Sequence, residues 1–295
     1  MYYNENTVLF LDGKFVKAAD ARMDFFSQTL HYGYGVFEGI RSYQTINGTK
    51  IFKPHEHFER LRRSCSLLGI PMTYSVEELT QLSYQLLEKN SLSNAYLRPL
   101  VYSGPNMSLT APKEVSVMIA AWDWGKYFSH TSLKVCISSF QRPNPKSLKV
   151  EAKACGHYVN SIMATMEAKE RGFDEALMLD MHGFVAEGPG ANFFYEKDNV
   201  LHTPPLGNIL PGITRQTVLD ICRELDIAVE EKYFRPEELF EADSAFFCGT
   251  AAEITTIESI EGQAFQKPWK KSLGVVIQEA YQSIVLDKSY SYVIV

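Results

Sequence analysis

The N-terminal third of the chain mixes short runs of strand-like alternation with stretches of helical spacing. Residues 8–11 and 14–16 flank Asp12-Gly13, a pair that supplies the positive-φ positions of a tight hairpin, so two short strands are expected there. Pro54 opens a helix in which Phe58, Leu61, Cys65 and Leu68 recur at helical spacing before Gly69 ends it. On that geometry Arg60, Arg62 and Arg63 lie away from the apolar stripe. The segment AYLRPLVY (95–102) reads as a strand with Tyr96, Arg98, Leu100 and Tyr102 on one face, and Pro99 assigns it to a sheet edge or a pocket wall. A second, strongly apolar strand is expected over 114–122. The polar, glycine-containing stretch 123–132 then marks a domain boundary.

Beyond that boundary the pattern predicts a strand over 133–140, a loop holding Pro143 and Pro145, and a helix over 158–171 stopped by Gly172. Strands follow at 176–180 and 184–187, joined across His182-Gly183. LPGITRQTVLDICREL (210–225) reads as a turn running into a helix with Val218, Ile221, Cys222 and Leu225 on one side. No internal repeat or low-complexity segment interrupts this order.

Composition narrows the function classes. A chain of 295 residues, 45% hydrophobic and 22% charged, accommodates one large domain or two moderate ones. Its net charge of -6 lacks the basic excess of a nucleic-acid binder, so no such partner is expected. The first residues show no basic stretch followed by an apolar core and a cleavage site, and no apolar run approaches the roughly 20 residues that cross a bilayer. The expectation is a cytoplasmic protein without a membrane partner. Cys65, Cys136, Cys155, Cys222 and Cys248 are scattered without a C-x-x-C pair and read as reduced thiols. His55-Glu56-His57 has the wrong spacing for H-E-x-x-H, so no metal site is expected.

The chain has no G-x-S-x-G elbow, phosphate-binding P-loop or G-x-G-x-x-G fingerprint, which counts against hydrolase, P-loop and dinucleotide chemistry. Lys153, in EAKACGHY, is followed by small residues that let a bulky ligand approach the backbone, as a lysine forming a covalent imine requires; the plain alternative is a surface lysine. Glu187, in AEGPGANFF, suits a carboxylate that keeps a pyridine nitrogen protonated, against the alternative of a loop acid capping an amide. PGIT (211–214) enters a helix whose free N–H groups suit a phosphate. GTAAE (249–253) offers a second small-residue turn with the Thr250 hydroxyl, and Arg60 can supply a charge-assisted bond.

Read together, YGYGVFEGIRSY (32–43), HFERL (57–61), AYLRPL (95–100), EAKACGHYVNS (151–161), AEGPGANFF (186–194), LPGITR (210–215) and CGTAAEIT (248–255) closely resemble the class IV, or fold-type IV, pyridoxal-phosphate aminotransferases. Within that family they most resemble the branched-chain amino acid aminotransferases. The resemblance implies a two-domain α/β (α+β) fold, with a smaller N-terminal α/β domain over 1–124, a linker at 125–132 and a larger C-terminal pseudo-barrel domain over 133–295. It also implies a homodimer or higher homo-oligomer, an active site near the domain interface, and amino transfer between Leu, Ile or Val and 2-oxoglutarate.

By resemblance, Lys153 is the Schiff-base lysine and proton shuttle, Glu187 pairs with the pyridine nitrogen, Tyr158 hydrogen-bonds the ring hydroxyl, and Leu210 packs on the ring face. Arg60, the Ile213 and Thr214 backbone and Thr250 would hold the phosphate of pyridoxal 5'-phosphate. Alternation along VFEGIRSY puts Phe37, Gly39, Arg41 and Tyr43 on one face, which with Tyr32, Trp124 and Tyr127 resembles the family's side-chain pocket. Tyr96 and the Thr250-Ala251 turn would bind the α-carboxylate. Arg98 would receive the distal carboxylate of glutamate or 2-oxoglutarate, with water or a nearby hydroxyl such as that of Tyr32 or Tyr127 satisfying it when leucine is bound.

Two places depart from many branched-chain members: Ala191 stands where they carry Glu, and Gly156-His157 where they carry a glycine-asparagine pair. D-amino acid aminotransferases, (R)-amine transaminases and 4-amino-4-deoxychorismate lyases share the lysine and phosphate machinery, whereas FEGIR, AYLRPL and GTAAEI resemble the branched-chain group.

Overall fold

In the computed structural model, which describes residues 2–125 and 132–288, Asp12 and Gly13 both take positive φ, 46° and 83°. They join β1 (Val8–Leu11) to β2 (Lys14–Lys17) as a tight antiparallel hairpin, as the D-G pair predicts. The chain divides into two compact units. Unit 1 comprises Met1–Gly125 and Ala152–His157, and unit 2 comprises Lys126–Glu151 and Tyr158–Val295. The lysine segment therefore belongs with the N-terminal elements rather than with its neighbours in sequence.

Unit 1 continues with α1 (Gln28–Tyr32), β3 (Gly35–Phe37), β4 (Ile40–Thr45), β5 (Gly48–Ile51), α2 (Pro54–Leu67), α3 (Val76–Lys89), β6 (Ala95–Ser103) and β7 (Val115–Asp123). Its strands form one antiparallel sheet in the order β2-β1-β7-β6-β4-β5, with β3 also on β6. Val36, Ile40, Leu97, Val101, Ile119 and Ala121 point from one face into a core with Phe58, Leu61 and Cys65 of α2 and Leu79 and Leu86 of α3. Burial of a side chain such as Phe58 or Leu61, both fully buried, contributes roughly 1.5–3 kcal/mol.

Two expectations for this unit are corrected: the sheet-edge alternative for β6, whose pocket-wall alternative is untouched, and the outward direction of Arg60. β6 is an interior strand, because β7 pairs with it along one side and β3 and β4 pair with it on the other. Proline is tolerated there because β3 ends at Phe37 and β4 begins at Ile40. The missing Pro99 N–H falls beside that break, where the Pro99 carbonyl accepts from Glu38 N at 2.9 Å. Arg60 is buried rather than turned away from the core, because an acid from the neighbouring strand meets it.

Unit 2 contains β8 (Ser132–Ile137), α4 (Tyr158–Glu170), β9 (Glu175–Leu179), β10 (Val185–Glu187), β11 (Asn192–Lys197), β12 (Val200–Thr203), α5 (Ile213–Glu224), β13 (Val229–Glu231), β14 (Ser244–Gly249), β15 (Glu253–Ile260), β16 (Gln263–Ala264) and α6 (Leu273–Val285). The strands form a nine-stranded sheet in the order β10-β9-β8-β15-β14-β11-β12-β13, with β16 on β15. An additional β10–β11 pairing, Glu187 opposite Asn192, closes part of this sheet on itself and makes it a pseudo-barrel. β10 carries a bulge against β9 between Val185 and Glu187. Such a bulge turns a side chain off the regular alternation, and here it lies beside Glu187. Among the described residues no helix is long and apolar enough to cross a membrane.

Candidate active site

The residues singled out by sequence fall into two sets, one in each unit. In unit 1, Lys153 is held through its backbone. Its N–H donates to Ser64 Oγ on α2 at 3.0 Å, and its carbonyl accepts from Phe37 N on β3 at 3.0 Å. After it in the chain, Ala154 forms a bridge with Val36, and Gly156 N donates to Gly33 O at 3.0 Å. Adding a Cβ at Gly33 would bring it 2.6 Å from Gly156 Cα, so glycine is required where these two segments cross. The Lys153 side chain is left to extend over Phe37, with Nζ 5.1 Å from the ring centre.

Directly after Phe37 comes Glu38, to which no sequence motif assigns a role. Alternation turns it to the core face, where it is fully buried. Its carboxylate accepts from Arg60 Nε at 2.6 Å, Arg60 Nη2 at 2.9 Å and His57 Nδ1 at 2.8 Å. Burial pushes the Glu38 carboxyl up, but the Arg60 guanidinium and His57 outweigh that and hold it well below the usual carboxylate range. Burial lowers His57 against the pull of Glu38, so a neutral ring donates from Nδ1. His55, two residues before it, is exposed. The H-E-H spacing is the available signal for this site, because a histidine two residues from an exposed one on a helix faces inward.

The other face of the sheet carries the substrate candidates. Phe37 is opposite Leu100 and Ile40 is opposite Leu97, so the register runs through Glu38-Gly39 without a shift. Phe37, Gly39, Arg41 and Tyr43 therefore share a face with Tyr96 and Arg98. Tyr96 is paired across the sheet with Trp122, and its ring lies 5.3 Å from that of Trp122 and 4.8 Å from that of Trp124. Sequence alone marks Trp122 only as part of a strand, and the cross-strand register puts it in this aromatic wall. Arg98 rests on the Phe37 ring at 4.6 Å and reaches the Tyr96 hydroxyl with Nη2 at 3.5 Å, while its Nε is buried without a hydrogen-bond partner among the described residues.

Tyr96, rather than Tyr32, is thus the hydroxyl beside Arg98. Tyr32 is half exposed on α1 and donates to Met107 O at 3.3 Å. Tyr127 lies outside the described residues.

Gly39 is there for a steric reason. A Cβ would lie 1.8 Å from the Tyr96 hydroxyl oxygen and 2.7 Å from Cζ, and the neighbouring indoles leave that ring little room to yield. Gly39→Ala is expected to destabilise unit 1 by about 1–3 kcal/mol, as overpacked cores do, and to raise KM for the amino donor by displacing Tyr96. Thermal melting and steady-state kinetics of the variant check both.

In unit 2, Glu187 is buried among donors. Leu210 N donates to Oε1 at 3.1 Å, Asn192 Nδ2 donates to Oε2 at 2.9 Å, and Arg142 Nε forms an ion pair with Oε1 at 2.9 Å. Asn192 Nδ2 also donates to Leu210 O at 3.0 Å. It therefore ties the carboxylate to the turn that leads into α5. A Cβ at Gly212 would fall 1.9 Å from Asn192 Oδ1, so the glycine of PGIT is fixed by that contact. Neither Arg142 nor Asn192 receives a role from sequence: Asn192 lies within AEGPGANFF beside Glu187 and is passed over, whereas the partner of Arg142 lies 45 residues away around a closed sheet.

Gly212 is the N-cap of α5, which has no side-chain cap and no acidic residue in its first turn. Ile213 and the buried Thr214 therefore open a helix end suited to an anion. Thr250 and Ala251 form the partly buried turn between β14 and β15. A Cβ at Gly249 would lie 3.6 Å from Ala191 Cα, so the small residue at 191 packs against this turn. Tyr158 begins α4, and the buried His157 precedes it.

These donor sets suit a phosphorylated pyridine cofactor: a buried carboxylate held by donors for a ring N–H, and an uncapped helix N-terminus for a phosphate. Residues 35–260 match the family described as amino-transferase class IV, and the chain belongs to that family. It is 40% identical to the branched-chain-amino-acid aminotransferase of Pseudomonas aeruginosa over 97% of this chain and 95% of that one. Its structure superposes with a TM-score of 0.92 on the branched-chain aminotransferase of Thermoproteus uzoniensis with norvaline, at 41% identity and covering 96% of each chain. The PLP-form (holo-form) of the branched-chain amino acid aminotransferase from Thermobaculum terrenum matches with a TM-score of 0.89 at 31% identity, over 97% of this chain and 96% of that one.

Proposed function

We propose that this chain is a pyridoxal-phosphate enzyme that moves the amino group of a branched-chain L-amino acid (Leu, Ile or Val) to 2-oxoglutarate, giving branched-chain 2-oxo acids and L-glutamate. One observation carries the reading. The Lys153 amine and the Arg98 guanidinium share the Phe37 ring, at 5.1 and 4.6 Å. An amine beside an aromatic wall that suits an aliphatic side chain, and beside a cation that suits a second carboxylate, supports this reading.

Bound pyridoxal phosphate supplies the electron sink that makes removal of an amino acid's α-proton feasible. In this proposal Glu187 meets the ring nitrogen, Tyr158 the ring hydroxyl and Leu210 the ring face. Arg60, the Ile213 and Thr214 N–H groups and the Thr250 hydroxyl hold the phosphate. Lys153 Nζ would take the α-proton and give it back one position away, a task suited to an amine whose backbone is held at both its N–H and its carbonyl. Tyr96 and the Thr250-Ala251 turn orient the α-carboxylate, and Arg98 takes the distal carboxylate of the acceptor. Phe37, Gly39, Arg41, Trp124 and Tyr32 surround the side chain.

A homodimer is part of the same proposal. Unit 1 exposes Phe25, Phe26, Leu30, Met107 and Leu109, in two segments tied together by Asn106 N to Phe26 O and by Gln28 Nε2 to Ser108 O. An apolar surface of this kind supports contact with a second copy.

The test is optical. Holoenzyme is expected to change its visible absorption on addition of L-leucine alone and to recover it with 2-oxoglutarate, while D-leucine leaves the spectrum unchanged. A silent spectrum with L-leucine, or a response confined to the D-enantiomer, would overturn the proposal.

A further inference from the structure

We propose that Glu38 is a positioning residue that fixes the Arg60 guanidinium relative to the Lys153 backbone, and that this spacing gives the chain its preference for a phosphorylated cofactor. The inference rests on the assignment of Arg60 to the phosphate.

The contacts form a closed frame inside unit 1. Lys153 is bonded at its carbonyl to Phe37 N and at its N–H to Ser64 Oγ. Glu38 follows Phe37 directly, and Arg60 precedes Ser64 by one helical turn on α2. The Glu38–Arg60 pair closes the fourth side, with Nε and Nη2 of the guanidinium each on a separate carboxylate oxygen. An arginine side chain has several soft torsions, and a two-point fork fixes its plane as well as its position. His57, one turn before Arg60, donates to the oxygen that Nη2 uses, and Gly39 N donates to the same oxygen at 3.2 Å. Glu38 is therefore held from the strand and from the helix together, and it cannot shift without moving Arg60.

Neither Glu38 nor His57 is placed against substrate or cofactor. Their direct contact with the proposed cofactor-holding side chains is the fork and the shared oxygen at Arg60. That separates a positioning role from a merely structural one. Loss of the fork should impair recognition of the phosphate group and spare recognition of the pyridine ring.

The experiment compares two probes, pyridoxal 5'-phosphate and phosphate-free pyridoxal, titrated into full-length protein stripped of cofactor and followed by absorbance. Glu38→Gln keeps the volume but replaces one acceptor oxygen with a donor, and it is expected to weaken pyridoxal 5'-phosphate about 100-fold while changing the pyridoxal dissociation constant less than about threefold. Glu38→Asp keeps the buried charge but shortens the reach. It should show a smaller loss of the same selective kind, and it serves if the amide variant does not fold.

Equal weakening of both probes in folded Glu38→Gln or Glu38→Asp protein, or no weakening of either, overturns the positioning role. Arg60→Met separates the underlying assignment. If that variant keeps the full preference for the phosphorylated probe, Arg60 does not hold the phosphate. If it loses the preference while Glu38→Gln and Glu38→Asp retain it, the assignment stands and the Glu38 role fails.

Discussion

Lys153→Ala is expected to abolish turnover while leaving the fold intact. The lysine segment is anchored by main-chain groups, Lys153 N to Ser64 Oγ and Lys153 O to Phe37 N, and alanine keeps both. The lost atoms are those beyond Cβ, which extend over Phe37 rather than into the core of α2 and α3. Melting should therefore shift by no more than a few degrees. With no amine to form the covalent link or to move the α-proton, steady-state transamination of leucine with 2-oxoglutarate should fall by more than about 1,000-fold. A well-folded variant that retains a tenth of the parental rate would remove Lys153 from the proposed role.

The second large effect is selective. Arg98→Leu is expected to slow the half-reaction with glutamate by about 100-fold, the scale of losing one partner of a buried charge pair, and to change the leucine half-reaction less than about tenfold. The reason lies in the unequal surroundings of the guanidinium. Its flat face lies on Phe37, a contact that leucine can partly replace, whereas its Nε is buried with no hydrogen-bond partner among the described residues. A carboxylate brought by a substrate answers that deficit, and an aliphatic side chain does not. Single-turnover rates with L-glutamate and L-leucine measure the two separately. Equal losses with both donors would take the distal carboxylate away from Arg98.

Much of the local structure was legible from short-range rules. The Asp12-Gly13 hairpin, the helix opened by Pro54, and the turn at PGIT leading into α5 each depend on residues within a few positions of one another. The shared face of Phe37, Gly39 and Arg41 was legible too, because alternation survives the gap between β3 and β4 once β6 holds both in one register. Arg60 shows where such rules stop. Helical spacing placed it off the apolar stripe, which is correct for side-chain hydrophobicity. It cannot see a carboxylate delivered from 22 residues away on a strand.

The segment at Lys153 shows the same limit at the scale of the whole chain. By itself the sequence determined the family, through ordered motifs spread over most of its length, and it determined which residue types face together, because strand and helix periods are local properties of the backbone. Only the tertiary structure decided that 152–157 is built into the N-terminal unit and that Glu38 joins Arg60. It also decided that Asn192 and Arg142 hold Glu187 where the pseudo-barrel closes. Those contacts join groups from separate elements, and their energies depend on burial and on distances of about 3 Å that no periodicity along the chain encodes.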